Sequence, residues 1–253
     1  MARHHKSTFG KLLLGFSVGF GLLWILRKRS ANAVLPSSWR RVLTEKYGVD
    51  QAGQILRATE HEYATLQSHY TLPSHPMLRF HLTKNIFPGL ALYHILLEKR
   101  QGNKTSALEE IDALFRVWTL ERAYPMLAPF RVLPTPFWLF RRIANGFMLQ
   151  YPSAGWDFEA VENSDTCLAF NATRCFYLNT LTWLGAPELT VSFCKTDDVM
   201  AELFPASVQF KRTQTLGRGD SHCDFQYCKA ERSAQLSAYL PQKSANEQQR
   251  LSS

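Results

Sequence analysis

The sequence predicts an α+β fold: a helical N-terminal half packed with a small antiparallel sheet, preceded by a single N-terminal membrane-anchor helix. Three observations predict it. Residues 38–150 carry apolar positions at helical spacing, cut by Gly and Pro. Residues 156–229 hold two stretches that alternate and turn like hairpins. Leu12–Leu26 is an uncharged apolar run.

The helical half reads as a series of short elements. Trp39–Tyr47 is amphipathic and stops at Gly48, and a second helix fits Gln51–Tyr70. Leu72-Pro73 and His75-Pro76 break the pattern. Residues 78–102 then read as two helical pieces separated at Pro88, with Gly102 as the stop. The next helix starts at Thr105-Ser106 and runs to about Glu121, after which Pro125, Pro134 and Pro136 interrupt an aromatic-rich stretch. Its Phe130, Phe137, Trp138, Phe140 and Phe147 fit core packing, a membrane-adjacent face or a ligand-pocket wall. No Gly/Ser-rich linker separates the two halves, so residues 38–230 are expected to form one domain. Residues 231–253, rich in Gln, Ser and Lys, read as a polar, disordered tail.

The net charge of +8 is concentrated at one end. Residues 1–41 hold eight basic residues and no acid, leaving 21 basic and 21 acidic residues beyond them. A neutral body excludes phosphate tracking, and no nucleic-acid partner is expected. As a helix, Leu12–Leu26 spans ~22 Å, short of a ~30 Å hydrocarbon core. Lys11 and Arg27 can snorkel and Trp24 can sit at an interface. Ala31-Asn32-Ala33 resembles a signal-peptide cleavage site, but Arg27-Lys28-Arg29 lie where such a region is uncharged. The reading is a single-pass anchor over residues 1–37 with the body on the cytoplasmic side. Five cysteines, an odd number with no CxxC pair, argue against a disulfide scaffold and for free thiols in a reducing compartment.

The chemistry concentrates in Trp156–Tyr227. A hairpin is expected over Trp156–Phe170 with its turn at Glu162–Asp165. Asn171 or Thr173 can cap the following helix, placing Cys175 in its first turn. There the dipole and Arg174 favour a thiolate, the form a nucleophile needs; the plainer reading is a small buried hydrophobe. Cys194 and Asp197, three apart, share a face if helical. Phe210–Leu216 and Ser221–Lys229 read as strands around a Gly217–Asp220 turn. Alternation puts Cys223, Phe225 and Tyr227 on one face and His222, Asp224, Gln226 and Cys228 on the other. His75, His81 and His94 show no HxxxH or HExxH spacing and are not read as metal ligands.

The segments FNATRCFY (170–177), LGAPELTVSFCKTDD (184–198) and FKRTQTLGRGDSHCDFQY (210–227) resemble the L-2-amino-thiazoline-4-carboxylic acid hydrolase family, as does 75–98 upstream. The resemblance implies a hydrolase acting on carbon–nitrogen bonds other than peptide bonds. Its reaction would open a small cyclic amidine or isothiourea acid to an N-carbamoyl amino acid. It picks out Cys175, Cys194, Cys223 and Asp197 as catalytic residues. Asp197 and Glu188 can hold the amidine, Arg174 or Arg212 the carboxylate, and His222 lies beside the substrate. No cofactor is expected, though three cysteines and a carboxylate would make an acceptable zinc set. The other reading is a non-catalytic, membrane-tethered module that binds a small molecule or metal.

Overall fold

The computed structural model describes residues 35–132 and 135–231. The predicted anchor, Leu12–Leu26, and the tail beyond 231 lie outside the described residues. Among the described residues no helix is long and apolar enough to cross a membrane.

Helices dominate the first half, as expected. α1 (Ser37–His69) is two helical pieces joined at Gly48, whose φ of 77° suits glycine. α2 (Pro76–His81) follows, capped by His75 Nδ1, which accepts from the Met77 N–H at 3.2 Å. A π-helical turn (Leu82–Ile86) then leads into α3 (Phe87–Lys99). The expected break at Pro88 is thus a widening of the helix rather than a gap. Phe87 N–H reaches back five residues to Leu82 O. The next bond in that pattern would run from residue 88 to Thr83 O, but Pro88 has no N–H. The Tyr63 hydroxyl donates to Thr83 O at 3.2 Å instead.

α4 (Lys104–Val132) runs well past the expected end at Glu121 and contains Pro125 and Pro129. Both prolines are exposed and four residues apart, so they share a solvent face. Water can satisfy the carbonyls they strip of partners, which is why the helix survives them. α5 (Phe137–Phe147) and a 3-10 turn (Met148–Gln150) lead into β1 (Asp157–Asn163) and β2 (Cys167–Arg174). α6 (Phe176–Trp183) and α7 (Leu189–Ala201) come next. β3 (Val208–Lys211), a 3-10 turn (Leu216–Arg218) and β4 (Cys223–Lys229) complete the described chain. The expected strand over Phe210–Leu216 is shorter because Asp224 pulls the chain out of the sheet. Its carboxylate accepts from Thr213 N at 2.8 Å and Gln214 N at 2.6 Å.

The four strands form one antiparallel sheet in the order β1-β2-β4-β3. The main core lies among the helices, where Trp39, Phe87, Leu90, Ile111, Phe115 and Leu181 are sealed from solvent. Gly89 lets α3 approach α4 and α7: a Cβ there would sit 2.8 Å from both Phe115 Cζ and Phe193 Cζ. A second cluster, Phe137, Phe140, Leu168 and Val208, ties α5 to the sheet.

Register places Leu168, Phe170 and Ala172 of β2 opposite Tyr227, Phe225 and Cys223 of β4, which gives the sheet an aromatic face. The other face holds Cys167 directly opposite Cys228, and the two form a disulfide. The expectation of five free thiols is therefore corrected, and three remain free: Cys175, Cys194 and Cys223. Spacing could not reveal the pair, because its partners are 61 residues apart and meet only through strand register. In denaturant, three thiols are expected to react before reduction and five after it. Removing the bridge as Cys167→Ser/Cys228→Ser should cost about 4 kcal/mol by loop entropy; five thiols before reduction would contradict the pairing.

Candidate functional site

The three free thiols meet in one region. Cys175 is the residue that caps α6, with extended φ −131° and ψ 120°, not a residue of its first turn. Cys194 and Asp197 lie one helical turn apart on α7, as expected. Cys223 opens β4 on the aromatic face, and its sulfur accepts from Leu216 N–H at 3.3 Å. Gly217 lets the preceding 3-10 turn rest on α7, since a Cβ there would sit 3.0 Å from Cys194 Sγ. The Cys194 thiol is coupled electrostatically to Asp197, Cys175 and Cys223, and the Cys175 thiol to Cys223 and Asp197.

Arg212 organises the carboxylate. Its guanidinium, 3% exposed, donates to Asp197 at 2.7 Å, to Asp198 at 3.0 Å and to Cys194 O at 2.9 Å. It also lies over the Phe225 ring, 5.3 Å from its centre. Arg212, expected to hold a substrate carboxylate, is engaged in the fold by Asp197, Asp198 and Cys194 O. Burial pushes Asp197 up to about 6, against the pull of Arg212. Its side chain nonetheless keeps 31% of its surface open.

Tyr151, Tyr177 and Tyr227 share this combination. Burial is the first cause raising each phenol, yet each keeps intermediate exposure. The partly exposed Asp197, Tyr151, Tyr177 and Tyr227 together outline a candidate recess. Its walls include Phe170 and Phe225 of the sheet, whose rings stack at 5.2 Å, and Tyr151 with Trp156 at 5.1 Å. Tyr151 and Tyr227 both feel the Asp197 charge.

The thiols are held neutral. Burial pushes Cys175 up to about 11, although the amides of Tyr177 and Leu178 pull the other way. Burial pushes Cys194 up to about 12, with Asp197 adding to it, and Cys223 rises for the same first reason. The expected thiolate at Cys175 is thus corrected: at the cap of a short helix, desolvation outweighs the dipole.

The remaining predicted residues are placed elsewhere. Arg174 grips Asp157 at 2.6 Å and the carbonyls of Ser153 and Ala154, tying β2 to the start of β1. Glu188 accepts from Tyr93 at 2.8 Å and pairs with Lys104 at 2.6 Å, joining the start of α7 to α3 and α4. His222 precedes β4 and bonds Ser221 at 2.9 Å. Among the described residues no three His, Cys, Asp or Glu side chains converge as metal ligands, so the zinc set considered above is not assembled.

Sequence reasoning missed Tyr151 and Tyr177. Tyr227 was legible, since alternation puts it beside Cys223, whereas Tyr151 follows a 3-10 turn that carries no periodic signal.

A raised carboxylate, neutral thiols and aromatic side chains make up the candidate site. Residues 101–227 match the L-2-amino-thiazoline-4-carboxylic acid hydrolase family, and the chain belongs to that family. The match takes in all three resembling segments but not 75–98. No curated protein matches the chain. Among solved structures, an Fe(II) unliganded H-NOX protein from K. algicida is 13% identical, covering 77% of this chain and 94% of that one at a TM-score of 0.33. A mutant of it gives 13%, 78%, 95% and 0.33. A structure from work on heme distortion in the H-NOX family gives 10%, 77%, 92% and 0.32. Similarity at that level bears on neither the fold nor the function of this chain.

Proposed function

We propose that the protein is a small-molecule hydrolase that opens a cyclic amidine or isothiourea acid at its amidine carbon. The observation that carries this reading is Asp197, a carboxylate pushed up to about 6, fixed by Arg212 and set among three thiols in an aromatic recess. Ionised, it pairs with a protonated amidine and keeps it in that form, whose carbon is more open to attack than that of the neutral amidine. The flat aromatic walls suit a planar ring.

Cys175 is the proposed nucleophile. Its sulfur adds to the amidine carbon, the ring carbon–sulfur bond rather than a carbon–nitrogen bond breaks, and the ring sulfur departs as a thiol carrying the proton that Cys175 gives up. Water then adds to the same carbon and expels Cys175, leaving a carbamoyl group on nitrogen. The balance is one water consumed and one ring opened. Cys194 and Cys223 line the recess beside it.

The neutral thiols favour a second reading, a binding module without turnover. One experiment separates the two. Purified protein is mixed with 2-aminothiazoline-4-carboxylate, binding is followed by calorimetry, and product is followed by mass spectrometry. Saturable formation of the N-carbamoyl thiol acid supports the hydrolase. Binding without product supports the module, and neither result removes the substrate class. Attachment to a membrane through Leu12–Leu26 is a separate part of the proposal, tested by whether deleting residues 1–34 releases the protein from the membrane fraction.

A further inference from the structure

The outer face of α5 exposes apolar side chains that the packing of the fold does not use. The helix buries Phe137 and Phe140 against Leu168 and Val208 of the sheet, with Ala144 packed beside them. Its other face carries Trp138, Arg142 and Asn145, and the same helical spacing continues to Leu149 in the following 3-10 turn, so the four line up on one side. All four are exposed, with Trp138 57% open and Leu149 83% open, and Ile143 beside them is 41% open. Of the eight large hydrophobics exposed among the described residues, three fall in 138–149, so this apolar surface is concentrated rather than scattered. Charge and chain path favour one occupant. Between Glu121 and Asp157 the sequence has four arginines and no Lys, Asp or Glu. Arg141 is held by the Ser164 carbonyl and by Asp165 at 3.1 Å, whereas Arg142 is exposed and has no ion pair among the described residues. The described chain also begins on this part of the fold. Ser37 donates to Glu121 at 3.2 Å, which sets Leu35 near the C-terminal part of α4, the part that leads into α5. Arg40 and Arg41 are exposed one turn further along α1. Residues 27–34, which include Arg27, Lys28 and Arg29, join Leu35 to the apolar run Leu12–Leu26 and reach at most about 30 Å.

We propose that the outer face of α5, through Trp138, Arg142, Ile143 and Leu149, rests on the surface of an anionic lipid bilayer. The inference extends the membrane attachment proposed above to the described fold and is independent of the ring-opening reaction. α5 is ~16 Å long, too short to cross a bilayer, so it lies in the plane of the interface. Trp138, Ile143 and Leu149 enter the boundary between headgroups and acyl chains, where an indole has an apolar body in lipid and its N–H in contact with water. Arg142 extends from the same face to lipid phosphate and carboxylate groups, which supply the acids this stretch lacks. One short helix binds lipid weakly, but attachment through Leu12–Leu26 makes the contact intramolecular and raises the effective concentration of lipid at α5. The contact also orients the molecule. Phe147 of α5 meets the Tyr151 ring at 6.0 Å, so docking sets the candidate recess beside the bilayer.

The test reads Trp138 in the full chain. Protein is reconstituted with vesicles of phosphatidylcholine and phosphatidylserine at about 7:3, with acyl chains brominated near the headgroup, and tryptophan quenching is measured against unbrominated vesicles. Trp138→Phe is the reference: Trp24 and the other tryptophans are common to both proteins, so the difference reports Trp138 alone. The wild type is expected to be quenched more than Trp138→Phe on the mixed vesicles, and no more than it on pure phosphatidylcholine. Arg142→Glu, with an unchanged melting curve, should lower the fraction of Trp138 in contact with lipid by about 10-fold. Equal quenching of the wild type and Trp138→Phe on the mixed vesicles would overturn the proposal, as would a Trp138 contact of the same size on neutral lipid. Self-association in the ultracentrifuge that Trp138→Ser abolishes, with no Trp138 quenching, would give the face to a second copy of the chain and also overturn it. The two membrane contacts fail separately. Protein that pellets with vesicles without Trp138 quenching leaves the Leu12–Leu26 attachment standing and this proposal wrong. Trp138 quenching in a protein that deletion of residues 1–34 does not release from the membrane leaves this proposal standing and the Leu12–Leu26 attachment wrong.

Discussion

Asp197→Asn is expected to lower kcat/KM for a cyclic amidine by about 10²–10³-fold, the loss that follows when one member of an enclosed charge pair is removed. The substitution keeps the shape and removes the charge. Arg212 retains Asp198 and Cys194 O as partners, so the corner between α7 and β3 should stay in place. The pH dependence has a definite sign. Asp197 is pushed up to about 6, so it is ionised above that value and able to hold a protonated amidine. Wild-type activity should fall as pH drops through about 6, and the residual activity of Asp197→Asn should lack that limb. Stability runs the other way. The folded pKa lies above the ordinary 3.8, so the folded state favours the protonated acid. Its stabilising effect is present below about 4 and is lost as pH rises through about 6. Asp197→Asn should therefore be no less stable than the wild type at pH 7.5. A variant with full activity, or one that loses activity by unfolding, would break this account of Asp197.

The second large effect is expected in the helical core. Trp39→Ala should cost about 4 kcal/mol, the middle of the range for emptying a buried aromatic site. Trp39 is 0% exposed, with Phe115 stacked at 6.0 Å and Trp118 edge-on at 5.9 Å. It anchors the start of α1 against α4, and no neighbouring side chain of comparable size is free to fill the space. For a protein of this size the melting temperature should fall by roughly 10 °C. Trp39→Phe should cost about 1 kcal/mol, because a ring remains and the lost indole N–H has no hydrogen-bond partner. Thermal unfolding followed by circular dichroism checks both. Equal melting of Trp39→Ala and the wild type would show that α1 is not held at this point.

These two sites differ in how far the sequence revealed them. Trp39 sits in an amphipathic run that Gly48 ends, and periodicity alone marks it as core. Cys194 and Asp197 were paired by helical spacing, and the face shared by Cys223, Phe225 and Tyr227 by strand alternation. Local periodicity carries such relations because they span only a few residues. The contacts that complete the site are long-range. His81 meets Tyr177 across 96 residues, and Arg212 reaches Asp197 across 15 residues and a change of element. Cys167 and Cys228 are joined only by the register of β2 with β4. Charge type alone does not show partners: Arg174 and Glu188 carry the charges a substrate would need, and in the fold Asp157, Lys104 and Tyr93 are bonded to them. Pro125 reads as a break because a sequence does not show that it and Pro129 both face water.

The central claim is that the recess around Asp197 binds a planar amidine. The most direct measurement is a crystal structure of the protein soaked with 2-aminothiazoline-4-carboxylate or a non-hydrolysable ring analogue. The account predicts the amidine nitrogens within hydrogen-bond distance of the Asp197 carboxylate, the ring against Phe170, Phe225 or Tyr227, and its amidine carbon facing Cys175. A ring bound elsewhere on the chain, or an Asp197 carboxylate still touching only Arg212 at saturating ligand, would contradict it.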